Sequence, residues 1–141
     1  MPSGLPRMKR FGPGDRLYVQ AQQIWLILAA HVMHSPERRR GDVATISYGD
    51  VAEAMGRPDR RAGHTLGRQL GLIARYCVAN DIAPLNAIVV VRGSGLPGVE
   101  VILREGRSLA REQRAVMRED WFSIRVPTTG MFKRVWMHDE D

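Results

Sequence analysis

The sequence predicts a small, helix-rich α+β domain, and three observations predict it. Residues 46–58 form a short capped pattern that stops at a glycine, and a long helical pattern follows, so two helices meet at a corner. Two apolar runs, 87–91 and 99–103, flank the glycine-rich stretch 93–98, which is the signature of a two-stranded hairpin. A chain of 141 residues with 44% hydrophobic residues matches one domain with its own core. Helix, helix, hairpin is the order of a winged helix. The expected organisation is a flexible basic arm over 1–14, one winged-helix-like domain over 15–137 and an acidic tail over 138–141.

The arm is rich in Pro and Gly and carries Arg7, Lys9 and Arg10. From Arg16 to about Ser35, the residues Leu17, Ala21, Ile24, Leu28 and Val32 recur at helical spacing, and Pro36 ends the run. Trp25 and Ile27 widen the apolar face, as in a core helix. Residues 37–42 read as a loop carrying Arg38, Arg39 and Arg40. Ser47 then suits an N-cap, because its hydroxyl can accept an orphan N–H of the first turn. Asp50 and Glu53 lie toward the positive end of that helix, and Val51 and Met55 give it one apolar edge. Gly56 suits a left-handed C-cap, and Pro58 prevents continuation.

A second helix is expected from about Arg61 to Ala79. Leu66, Leu70, Ile73 and Cys77 fall on one side of it; Arg61, His64, Arg68, Gly71 and Arg75 fall on the opposite side. One face can pack while the other presents cations, with no acidic residue on that cationic face and a glycine where a backbone could come close. The same stripe also fits a solvated helix face. A last helix is expected from Arg104 to about Asp120. Its stripe of Arg104, Arg107, Arg111, Arg114 and Arg118 interleaves with Glu105, Glu112 and Glu119, which reads as a solvated, salt-bridged surface. Residues 121–136 are ambiguous, with a turn at 127–130.

Charge narrows the partners. The net charge is +6 and the pI near 10.4, and apart from Lys9 and Lys133 every basic residue is arginine. Arginine forks onto phosphate and reads guanine edges, although an arginine-preferring codon bias produces the same composition. Aromatics at 6% argue against a platform that stacks base after base. Cys77 is the only cysteine, which excludes an internal disulfide and a cysteine-rich zinc site and fits a cytoplasmic setting. It lies on the apolar face, where a cysteine is an inert core residue. The apolar run Ile24 to Ala30 is too short to span a bilayer, so no membrane partner is expected. His31 and His34 lack companion ligands for a metal, and the 93–98 turn lacks the lysine and helix start of a phosphate-binding loop. No cofactor is expected.

Residues 46–52 (Ile-Ser-Tyr-Gly-Asp-Val-Ala) and 55–58 (Met-Gly-Arg-Pro) resemble the start of the DNA-binding domain of alkylguanine DNA alkyltransferases and their non-catalytic alkyltransferase-like relatives. Thr65-Leu66-Gly67 is similar to the Ala-Val-Gly of their recognition helix. Pro84 to Val89 resembles their Pro-Cys-His-Arg-Val-Val segment, and Arg92 to Gly98 the glycine-rich turn after it. The likeness covers residues 44–98. It implies a winged helix-turn-helix, with Tyr48 matching the tyrosine beside a flipped nucleotide and His64 the arginine that fills the vacated stack. Leu85 stands at the nucleophilic cysteine and Asn86 at its activating histidine. A leucine has no thiolate, so alkyl transfer is not expected.

The expected function is non-catalytic binding of double-stranded DNA, with modified bases as a candidate target. The expected DNA-facing residues are Tyr48, Arg57, Arg60, Arg61, His64, Arg68 and Arg75, with Arg38, Arg39 and Arg40 as further phosphate contacts. The alternative is a protein-interaction module, a small subunit of a bacterial or phage assembly, whose arginines meet an acidic partner surface. An enzyme would need converging polar side chains, for which the sequence offers no candidate set.

Overall fold

A computed structural model of the chain describes residues 4–57 and 65–140, with side chains as far as His138. The expected roles of Pro58, Arg60, Arg61 and His64, and most of the acidic tail's side chains, therefore lie outside the described residues. The expected small, helix-rich α+β domain is what forms.

Helix α1 (Leu17–His34) is the central element. Its buried residues Ala21, Ile24, Trp25, Leu28, Ala29 and Val32 recur at spacings of three and four and so fall on one face of the helix, the face on which the core is built. Pro36 forces Ser35 into extended geometry at ψ 138°, which ends the helix. The expected loop over 37–42 is instead a single helical turn, α2 (Pro36–Arg40). Proline at the first position is preorganised for a helix, and Gly41 closes the turn at φ +76°.

Strand β1 (Ile46–Ser47) leads directly into helix α3 (Tyr48–Ala54). Helix α4 (Gly67–Ala79) follows, then a 3-10 turn (Leu85–Ile88) and strand β2 (Val89–Val90). The two strands pair in parallel, Ile46 with Val89 and Ser47 with Val90. This corrects the hairpin expected from 87–91 and 99–103. Leu85 to Ile88 are buried in the 3-10 turn, which leaves two extended residues for pairing. Gly93 and Gly95 at positive φ then curl the chain back, so that Gly95 N donates to Val91 O at 2.9 Å and Val91 N to Leu96 O at 2.8 Å. Residues 99–103 join no ladder, and Val99 is fully exposed.

Helix α5 (Leu109–Arg118) starts later than Arg104, because Gly106 at φ +76° interrupts the chain and Ser108 supplies the cap, accepting from Arg111 N at 3.2 Å. The arginine stripe is solvated only in part. Arg111, Arg114 and Arg118 are exposed, but Glu112 is fully buried. It accepts from Arg104 at 2.8 Å (Nη2) and 3.1 Å (Nε), and from the Arg104 backbone N–H at 3.0 Å. Helix α6 (Thr129–Glu140) resolves the ambiguous segment and runs into the expected tail. Thr128 caps it by accepting from Met131 N at 3.1 Å.

The core is one cluster around α1. Trp25 meets Tyr76 and Trp121 edge-on at centroid distances of 5.7 and 5.6 Å, and Trp121 donates its indole N–H to Val116 O at 2.8 Å. Phe132 of α6, fully buried, packs on Tyr76 of α4 at 6.0 Å. Among the described residues no helix is long and apolar enough to cross a membrane.

Candidate nucleic-acid interface

The α3–α4 corner is built by local chemistry. Ser47 accepts from Asp50 N at 3.1 Å and fixes the start of α3. At its end, Gly56 N donates to Glu53 O and Arg57 N to Ala52 O, both at 2.9 Å, with Gly56 at φ +86°. That pair of bonds is the Schellman arrangement, and it needs a residue without a Cβ penalty at 56. Arg57, half-buried, leaves this turn.

Within the described residues, α4 starts at Gly67 rather than near Arg61. Leu66 at its N-cap makes no side-chain cap bond, and the first turn contains no acidic residue. Arg68 is exposed there. The expected inward set holds: Leu66, Leu70, Ile73 and Cys77 are all fully buried.

The opposite face of α4 departs from expectation. It is not open along its length, because α6 lies against it. The guanidinium of Arg75 lies 4.8 Å from the Trp136 ring centroid, and that of Arg68 5.7 Å away. Gly71 is already approached by this chain's own Glu100, whose Cβ lies 3.9 Å from where a Cβ at 71 would sit. The cationic face therefore does have an acidic neighbour, contributed by the loop after β2.

Glu100 also takes the hydroxyl of Tyr48. Tyr48 donates to the Glu100 carboxylate and accepts from Gly98 N at 2.6 Å. Burial, then the bond to Glu100, holds the phenol above its ordinary value of 10.0. Tyr48 thus ties the 98–100 segment onto α3, so its hydroxyl is engaged inside the protein. A Cβ at Gly98 would lie 2.6 Å from both the Tyr48 hydroxyl and a Glu100 oxygen, so a side chain there would have to displace the Tyr48–Glu100 contact.

The arginines of α2 separate. Arg38 turns inward and donates to the carbonyls of Met117 and Glu119 at 2.7 and 2.8 Å, completing the C-terminal end of α5. It is a structural cap, not the phosphate contact expected from its neighbours. Arg40 lies 3.6 Å from Glu37 and 3.8 Å from Asp42 on the surface, and Arg39 is exposed.

The positions matched to alkyl transfer hold no nucleophile. Leu85 is fully buried. Asn86 is 1% exposed, and neither polar atom of its side chain has a hydrogen-bond partner among the described residues. Cys77 is fully buried, and that burial pushes its thiol up to about 12, far from a reactive thiolate. No group of three or more His, Cys, Asp or Glu among the described residues is arranged to hold a metal.

Sequence reasoning missed α6 as part of this surface. Phe132, Val135 and Trp136 stand at 3 and 4 spacing, and that pattern was the available signal. Comparison with protein families, with curated proteins and with solved structures finds no match to the chain.

Proposed function

We propose that the protein binds double-stranded DNA without catalysis, through the α3–α4 corner. The observation that carries this reading is the start of α4. Its first-turn N–H groups have neither a side-chain cap from Leu66 nor an acidic neighbour in the first turn, and Arg68 is exposed beside them. A helix N-terminus of this kind favours a phosphate through its amides and its dipole. Arg57 precedes the corner, and Arg60, Arg61 and His64 follow it in sequence. The net charge of +6 adds a non-specific attraction to the polyanion. The resemblance over residues 44–98 supports the same reading and extends it to modified bases as candidate targets.

The test is the binding of a labelled duplex, followed by fluorescence anisotropy across a salt series. Each lost phosphate contact flattens log affinity against log salt by about 0.9. Arg57→Ala combined with Arg68→Ala should flatten it by about two units. The pair Arg111→Ala and Arg114→Ala, on the exposed face of α5, is the control. If the wild type fails to bind at low salt, or the control pair weakens binding more, the assignment is wrong.

The protein-interaction reading has one observation of its own. Val91, Leu96, Val99 and Ile102 are all exposed apolar residues on the loop after β2. Contiguous exposed apolar surface is a mark of protein–protein contact sites.

A further inference from the structure

We propose that residues 96–103 form a strap that holds the α3–α4 corner closed, with Glu100 in the place of a backbone phosphate, and that duplex DNA binds when the strap swings away. This gate rests on the DNA reading above and deepens it. Three contacts lay the strap across the corner. Tyr48, the first residue of α3, donates its hydroxyl hydrogen to the Glu100 carboxylate and accepts from Gly98 N at 2.6 Å. The Cβ of Glu100 lies 3.9 Å from where a Cβ at Gly71 of α4 would sit. Arg92, just before the strap, donates to Asp50 of α3 at 3.2 Å. Glu100 thus bridges the start of α3 and the side of α4 where Gly71 leaves room for a close backbone. A phosphodiester approaching Gly71 meets this carboxylate first. Like charges exclude each other, so strap and duplex compete for one place.

The strap can open without unfolding the domain, because only its ends are firmly fixed. At one end, Gly95 N donates to Val91 O and Val91 N to Leu96 O, closing a tight turn. At the other, Arg104 is held by the buried Glu112. Between them, residues 99–103 join no ladder. Val101 packs against the core, but Val99 and Ile102 are exposed. Closure is therefore carried mainly by two hydrogen bonds to one phenol, and both break together when the strap lifts. Hydrogen bonds of this kind contribute modestly, so the strap belongs to the low-stability elements from which gates are drawn.

The test locks and releases the strap and reads duplex affinity by anisotropy at fixed salt. The double variant Gly71→Cys with Glu100→Cys would hold its two Cβ atoms 3.9 Å apart, within the ~3.5–4.5 Å of a disulfide. Its oxidised form should bind duplex at least about tenfold more weakly than the same protein reduced. Cys77 is fully buried, and intact mass after alkylation of free thiols checks that only the new pair is joined. Gly98→Ala releases the strap with every charge kept, because its Cβ would lie 2.6 Å from the Tyr48 hydroxyl and a Glu100 oxygen. Apparent affinity scales with the open fraction, so this variant should bind about fivefold or more tightly than wild type. Thermal melts check that both variants are folded, and the lock decides alone if Gly98→Ala is not. The gate is overturned, with the DNA reading intact, if wild type binds but the oxidised form binds as well as the reduced. The same holds if the disulfide does not form, or if folded Gly98→Ala binds no more tightly than wild type. If no form binds duplex at low salt, the DNA reading falls and the gate falls with it.

Discussion

Replacing Arg104 by alanine should be among the most damaging single changes in the protein. Its partner Glu112 has no exposed surface, and three donors on Arg104 reach it, at 2.8, 3.0 and 3.1 Å. Arg107 adds a more distant contact at 3.8 Å. Removing the guanidinium leaves a carboxylate buried with one backbone donor. Breaking a buried pair in this way costs about 3–5 kcal/mol, against a total stability of about 5–15 kcal/mol. With a urea m-value of about 2 kcal/mol/M, the midpoint should fall by about 1.5–2.5 M. The double variant Arg104→Met with Glu112→Leu should recover most of that loss, because it removes both desolvated charges together. Acidity provides a second readout. Burial raises the Glu112 pKa, but hydrogen bonds from the Arg104 guanidinium and backbone, and the charges of Arg104 and Arg107, lower it further, so it lies below its ordinary value of 4.5. A depressed folded value means that the pair stabilises fully above about 4.5 and loses its contribution as pH falls through the folded value. Glu112→Gln should therefore flatten the acid limb of stability against pH. A midpoint shift below about 0.5 M for Arg104→Ala, with an unchanged acid limb for Glu112→Gln, would refute the buried-pair account.

Leu70→Ala removes a fully buried side chain of α4 and should cost about 2–5 kcal/mol in the same urea assay; a cost below about 0.5 kcal/mol would mean α4 packs with another face. Asn86→Leu removes a buried amide that has no partner among the described residues, so it should be neutral or stabilise by about 1–3 kcal/mol; marked destabilisation would show that the amide is satisfied. Cys77, fully buried, should resist thiol reagents in the native protein and gain no alkyl group from alkylguanine duplex, both read by intact mass; modification at native conditions would contradict its burial.

Much of the secondary structure was legible because its determinants are local. Ser47, Gly56 and Pro36 act within one turn of where they stand, so the ends of α1 and α3 could be read from neighbours alone. The inward face of α4 was equally plain, since Leu66, Leu70, Ile73 and Cys77 repeat at the period of a helix with one buried side. What periodicity could not show was which element covers the other side.

Composition and short-range pattern determined that this chain forms helices around an apolar core, with a strongly basic surface. Only the tertiary structure decided where the strands pair and where the charges go. β2 pairs with β1, 43 residues earlier, not with the nearby run at 99–103, because the 3-10 turn and two positive-φ glycines direct the chain away from a hairpin. Three adjacent arginines look alike in sequence, yet Arg38 caps α5, Arg40 stays on the surface near Glu37 and Asp42, and Arg39 faces solvent. Arg75 meets Trp136, and Glu112 is buried on Arg104, through contacts that depend on how helices pack. A side chain's charge is written in its residue type. Its partner is set by approach in space, and a one-dimensional pattern does not contain that distance.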